Sequence, residues 1–224
     1  MVGIPAGTFT KTGGYNGEDP KQITVAAFCM DRTEVKASAY DACAKSGKCT
    51  HIEFNGQDAV GGLCNSHIVA AHRRGPNHPA NCVKSFQADA YCKAQGLRLP
   101  DNDEWEYAAR GTDGRLYPWG NADPSDQLCS NGVAAHFPGS TVNGTCPVAS
   151  FPKGNSPFGL ADMAGNVEEW TTSAAYEGAD YFEFFLRGGS GVDEIPFPFR
   201  NHRYNRSSSW NGTTGFRCAG SPLP

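Results

Sequence analysis

The sequence predicts a single domain, residues 1–224, of mixed helices and strands in which regular elements are few and short and ordered loops are long. Three observations predict it. The chain of 224 residues is long enough to enclose a substantial core, and no Pro/Ser-rich or charge-block linker divides it. Its 27 glycines and 15 prolines, with 11% aromatic residues, favour loops of special backbone geometry pinned by buried rings. Nine cysteines without any C-x-x-C pairing point to a disulfide framework rather than a zinc cluster, and so to an oxidising compartment.

Two helices are marked clearly. Asp101-Asn102-Asp103-Glu104 has capping-box spacing after Pro100, Trp105, Ala108 and Ala109 supply an apolar stripe, and Gly111 ends the helix. From Ser85 to Gln95, Phe86, Ala90, Tyr91 and Ala94 share a broad face that stops at Gly96, and a shorter helix is expected over Ala37 to Ala44. Strands are expected at Gln22 to Ala27, Tyr181 to Arg187 and Gly215 to Ala219, where apolar, β-branched or aromatic residues gather. Tyr117-Pro118-Trp119-Gly120 and Phe151-Pro152-Lys153-Gly154-Asn155 read as loops, because proline fixes φ and glycine permits positive φ.

The cysteines are Cys29, Cys43, Cys49, Cys64, Cys82, Cys92, Cys129, Cys146 and Cys218, an odd number that leaves a thiol unpaired or bridged to another chain. Cys43 with Cys49 and Cys129 with Cys146 could close locally, but spacing leaves connectivity open. Each bridge typically contributes about 2 to 4 kcal/mol. The opening Met1-Val2-Gly3-Ile4-Pro5-Ala6 has no basic or apolar leader pattern, so a signal peptide is expected to have been removed. Net charge of -4 and pI near 5.8 give no basic field for nucleic acid. A mean hydropathy of -0.47 and the lack of a long apolar run give no membrane span.

Read in order, the chain carries Ile4-Pro5-Ala6-Gly7-Thr8-Phe9, Arg98-Leu99-Pro100 with Glu104-Trp105-Glu106-Tyr107-Ala108-Ala109-Arg110-Gly111, and Tyr117-Pro118-Trp119-Gly120-Asn121. Phe158-Gly159-Leu160-Ala161-Asp162-Met163-Ala164-Gly165-Asn166-Val167-Glu168-Glu169-Trp170 follows, then Arg187-Gly188-Gly189-Ser190 and Gly215-Phe216-Arg217-Cys218-Ala219. This ordered set resembles the formylglycine-generating enzyme (sulfatase-modifying factor) superfamily from end to end. The resemblance implies an irregular, loop-rich α+β fold related to C-type lectins. It also implies a disulfide between Cys92 and Cys218, the alternative being two buried free thiols. It further implies a structural calcium ion held by the side chains of Asp162 and Glu169 and the carbonyls of Gly165 and Val167, a hard-oxygen set. A second family calcium site near Asn131 and Gly132 lacks downstream partners here.

The chain departs from the family where the chemistry lies. Members that make formylglycine use two cysteines just after R-G-G-S to bind copper, whereas Gly191 to Arg203 contains none, with Asp193 and Pro198 near those positions. Soft Cu(I) prefers sulfur to carboxylate, so neither copper nor formylglycine generation is expected. The tryptophan usual before the calcium-ligand glutamate is Glu168 here. Asp193, Glu194 and Glu168, with His202, could form an acidic cluster that attracts a cationic ligand or a hard metal, or could be a solvated rim. His67, His72 and His78 match no metal motif, His78-Pro79 reading as a structural turn, and no G-x-S-x-G elbow makes Ser190 a nucleophile.

Two functions follow from the resemblance. In the first, calcium and disulfides fix the core of an extracytoplasmic recognition domain, periplasmic, cell-surface or secreted, whose groove binds a peptide, protein or small molecule. Arg187, Ser190, Asp193, Glu194, Phe197, Phe199, His202, Tyr204 and Trp210 are its candidate contacts, since aromatic and arginine residues on rigid loops are typical anchors. Related retroelement-diversified receptors use the same terminal region. The alternative is an oxidoreductase or maturation enzyme of a branch without copper cysteines, resembling pyoverdine-maturation proteins, with Asp193, Glu168 or His202 as acid or base. The missing cysteines and tryptophan favour recognition.

Overall fold

The last strand of the chain pairs with one of the first, and this closure organises everything between them. The computed structural model describes residues 1–11, 20–52, 64–65, 75–130, 144–177, 182–191, 203–206 and 212–222, with backbone alone for 173–177, 182–183 and 203–206. Strands β1 (Val2–Ile4), β2 (Gly7–Lys11), β3 (Lys21–Val25) and β4 (Phe28–Met30) precede helices α1 (Ala37–Lys45), α2 (Ser85–Ala94) and α3 (Asn102–Arg110). A long irregular stretch leads to β5 (Glu168–Glu177), β6 (Phe182–Arg187), β7 (Arg203–Arg206), β8 (Thr214–Gly215) and β9 (Ala219–Gly220). The strands form three sheets ordered β1-β4-β9, β2-β3 and β7-β6-β5-β8, all antiparallel except β5 with β8. The fold is the loop-rich α+β arrangement expected from the sequence.

Helix α3 forms because its ends are chemically complete. The Asp101 carboxylate accepts from the amides of Asp103 at 2.8 Å and Glu104 at 2.7 Å, and Glu104 accepts from the Asp101 amide at 2.9 Å. Gly111 terminates it at φ 65°, in the left-handed region that glycine tolerates. Trp105, Ala108 and Ala109 are fully buried as the stripe predicts, and so is most of the rest of the helix. Helix α2 spans the expected segment but its inward face is rotated. Of the expected stripe Tyr91 is buried and Ala94 packs on the core, while Phe86, 56% exposed, and Ala90 face outward, and Ala88 and Cys92 are buried instead, the latter bonded to Cys218.

The expected strand over Gly215 to Ala219 is split. β8 joins the four-stranded sheet, β9 joins β4, and residues 216–218 cross between them, held by bonds from the Val35 amide to the Phe216 carbonyl and from the Asp31 amide to the Cys218 carbonyl. Phe216 lies edge-on to Tyr40 and Tyr91, in a cluster with α1, α2, Trp170 and Leu186. Ala219 belongs to a second cluster, with Ile4, Phe28, Met30, Trp105, Leu160 and Met163. The crossing segment thus stitches two cores together.

Four disulfides join Cys43–Cys49, Cys64–Cys82, Cys92–Cys218 and Cys129–Cys146, leaving Cys29 as a buried free thiol on β4. A chain stapled in this way matures in an oxidising compartment rather than a reducing cytoplasm. Among the described residues, no helix is long and apolar enough to cross a membrane.

Candidate metal centre

The segment running into β5 makes a tight loop anchored from below. Leu160 and Met163 insert into the second core, while Asp162, Gly165 and Asn166 take positive φ of 58°, 80° and 62°. Gly165 is required, because a Cβ there would stand 2.4 Å from the Cys129 carbonyl oxygen. Such a loop brings Asp162, the Gly165 and Val167 main chain and Glu169 into one short wrap of chain.

Glu169, fully buried, is the most heavily engaged of these groups. Its Oε1 accepts from Arg217 Nη2 at 2.7 Å, and its Oε2 accepts from Arg217 Nε at 2.7 Å and from Trp105 Nε1 at 2.8 Å. Two carboxylate oxygens offer about four lone-pair directions, so Oε1 keeps one for a further partner. Arg217 also donates to the carbonyls of Asp31, Arg32 and Ala161, which leaves its guanidinium fixed and charged despite burial. Asp162 Oδ2 accepts from the Ala149 amide at 2.5 Å.

A third carboxylate, which sequence reasoning missed, is electrostatically coupled to these two, and among the described residues no three such side chains stand close enough together to form a metal-binding group by themselves. Glu34, in the turn between β4 and α1, is 1% exposed, and its Oε2 accepts from Asn166 Nδ2 at 2.8 Å. Its Oε1 is buried without a hydrogen-bond partner. Burial, then the charges of Asp162 and Glu169, hold the Glu34 carboxyl well above the usual carboxylate range, and burial pushes Asp162 up to about 6. With all three ionised, these carboxylates exceed the one guanidinium by two negative charges, which a divalent cation would balance. The orphaned Glu34 oxygen, the free direction on Glu169 and the all-oxygen donor set fit a hard ion such as calcium. Only the side chain's position in space marks Glu34, since a lone glutamate in Thr33-Glu34-Val35 carries no spacing signal.

The groove candidates are distributed differently. Arg187 is 1% exposed and points into the core, its Nε donating to Asn102 Oδ1 at 2.5 Å and its Nη2 pairing with Glu106 at 3.1 Å. Arg110 pairs with the same Glu106 at 2.6 Å, so Arg187 belongs to a buried ionic network and is not an exposed anchor. Ser190 is also buried, at the end of a turn in which Gly188 packs on the Trp105 ring. Glu168 is buried on β5, its amide bonded to the Thr213 carbonyl. Tyr204 sits on β7 opposite Phe185, its side chain beyond the described atoms. Asp193, Glu194, Phe197, Phe199, His202 and Trp210, like His67, His72, Asn131 and Gly132, lie outside the described residues. His78 is a buried turn residue whose Nδ1 meets Thr145 Oγ1 at 2.9 Å. A groove of about 380 Å³, lined by Ser85, Phe86, Asp89, Leu99, Thr171, Thr172 and Phe184, opens beside β5 and β6 and involves none of the sequence candidates.

The fold and this site define a class: a disulfide-stapled α+β domain with a buried cluster of carboxylates around one arginine. Residues 1–222 match the family model described as the sulfatase-modifying factor enzyme 1-like domain, and the chain belongs to that family. It is 40% identical over 267 residues to the inactive C-alpha-formylglycine-generating enzyme 2 of Bos taurus, covering 98% of this chain and 87% of that protein. It is 32% identical over 283 residues to the formylglycine-generating enzyme of Mus musculus, covering 100% of this chain and 76% of that one. The structure of PvdO from Pseudomonas aeruginosa shares the fold, with a TM-score of 0.73 at 24% identity over 98% of this chain and 93% of that one.

Proposed function

We propose that this chain is an extracytoplasmic recognition domain of the sulfatase-modifying-factor type, periplasmic, cell-surface or secreted, without formylglycine-generating activity. One observation carries the reading: no thiol pair is available for copper. No cysteine stands between Ser190 and Cys218, Cys218 is bonded to Cys92, and the remaining free thiol, Cys29, is buried on β4. Cu(I) chemistry of the family's kind requires soft thiolates, and carboxylates such as Asp193 do not substitute.

In this reading Asp162, Gly165, Val167 and Glu169 hold a calcium ion, with Glu34 as a further carboxylate ligand. The ion supplies no reaction. It neutralises buried charge and fixes the loop that feeds β5. The ligand, a peptide, protein or small molecule, is read by the residues after Ser190, namely Asp193, Glu194, Phe199, His202, Tyr204 and Trp210. Their acidic and aromatic character suits a cationic ligand.

The test combines metal analysis with a turnover assay on the purified chain. About one calcium per chain, lost to a chelator, is expected. A cysteine peptide incubated with the protein and supplied Cu(I) should keep its cysteine by mass spectrometry, whereas conversion to formylglycine overturns the reading. Stoichiometric iron or copper with turnover of a peptide or small-molecule substrate would instead establish an oxidoreductase, with Asp193, Glu168 or His202 as acid or base.

A further inference from the structure

Asn166 uses each of its polar groups to tie a different part of the chain to the cation loop. It is 1% exposed and takes φ of 62°. Its amide donates to the Cys129 carbonyl at 2.9 Å, and its carbonyl accepts from the Gly191 amide at 2.8 Å. Its side-chain Oδ1 accepts from the Cys146 amide at 2.9 Å, and its Nδ2 donates to Glu34 Oε2 at 2.8 Å. One residue thus grips the backbone of both cysteines in the Cys129–Cys146 disulfide and orients the unmatched carboxylate of Glu34.

The neighbours of Asn166 repeat the pattern. Gly165 bridges Cys129 in parallel register and donates its amide to the Gly188 carbonyl at 2.9 Å. Beyond Cys146, the Ala149 amide donates to Asp162 Oδ2. The segments around Cys129 and Cys146 therefore hold the loop from two sides. Apart from the disulfide, the covalent path between them runs through residues 131–143. The Cys43–Cys49 bridge, by contrast, lies in the helical core with Tyr40 and Ile52, away from the loop.

We propose that the Cys129–Cys146 disulfide and Asn166 act together as a positioning clasp that sets the affinity of the 162–169 loop for calcium. The inference rests on the calcium reading of that loop. The clasp's residues are not ligands: they fix the backbone that carries Asp162 and Glu169, and Asn166 orients Glu34, so that the loop needs less ordering at binding.

The experiment uses the full chain stripped with chelator, in four forms: wild type, Cys129→Ser with Cys146→Ser, Cys43→Ser with Cys49→Ser, and Asn166→Gly. Asn166→Gly keeps every disulfide and tolerates positive φ, so it carries the test if the Cys129/Cys146 variant does not fold. Calcium is titrated by calorimetry, and terbium by its tryptophan-sensitised emission, for which the Trp105 indole beside Glu169 is the donor. Loss of affinity by about tenfold or more in the Cys129/Cys146 and Asn166 variants, with the Cys43/Cys49 variant within about threefold of wild type, is expected. Wild-type affinity in Asn166→Gly, while wild type itself binds, overturns the clasp and leaves the calcium reading standing. Binding of neither ion by wild type overturns the calcium reading and the clasp with it.

Discussion

Replacing Glu34 by glutamine should separate the ion's contribution from that of the bare fold. In the metal-free protein, burial raises this carboxyl well above the usual range, so an amide of the same shape should leave the melting temperature in chelator little changed, within about 1 kcal/mol. With calcium the comparison reverses, because a bound cation would favour the ionised form of Glu34 and use the oxygen that lacks a partner, which an uncharged amide matches poorly. At calcium about 100-fold above the dissociation constant, wild type gains about 2.7 kcal/mol, roughly 5 to 11 °C for a domain of this size. A variant binding about tenfold more weakly gains about 1.4 kcal/mol at the same concentration, halving the shift. Thermal unfolding of both proteins with calcium and with chelator measures all four quantities. Equal calcium shifts in wild type and Glu34→Gln would refute the assignment of Glu34, and no shift in wild type would refute the site.

The chelated protein should become less stable as pH rises from about 4 through 6. Burial raises the carboxyls of Asp31, Glu34 and Asp162, the last to about 6, so in this window the native state keeps protons that the unfolded chain releases. Denaturant midpoints at pH 5 and pH 7 in chelator test this, and a higher midpoint at pH 7 contradicts it. Arg217→Met should cost about 3 to 5 kcal/mol in chelator, because Glu169 is left buried with its charge unmatched. Adding Glu169→Gln to that variant should recover most of the loss by urea unfolding, and a single-variant cost below about 1 kcal/mol would show the pair to be dispensable.

What the sequence reveals depends on how local each signal is. Helix α3 is legible to the residue because Asp101, Glu104 and Gly111 define its ends within one span of chain. The inward face of α2 is legible only in part, since Tyr91 is buried as expected but Phe86 and Ala90 give way to Ala88 and Cys92, whose bond to distant Cys218 turns the helix. Strands β1 and β4 have three residues each, too short for alternation to declare itself. The cation loop is recognisable from Asp162 to Glu169, yet Glu34 is brought to it only by tertiary packing. Arg187 was expected at a binding surface because of its motif, but its partner is Glu106 on α3, a pairing that no linear pattern records.

The crossing segment 216–218 has a consequence for biosynthesis. Arg217 supplies the positive charge at the carboxylate cluster, Cys218 closes the bond to α2, and Ala219 opens the strand that seals β4. All three leave the ribosome after almost every residue they serve. Without them the buried cluster of Glu34, Asp162 and Glu169 has no guanidinium to balance it and α2 has no covalent anchor. Completion of this domain therefore requires residues 217–220 and an oxidant for Cys92 and Cys218. A chain interrupted shortly before Arg217 would be an incomplete fold, open to proteolysis, rather than a shortened but serviceable domain.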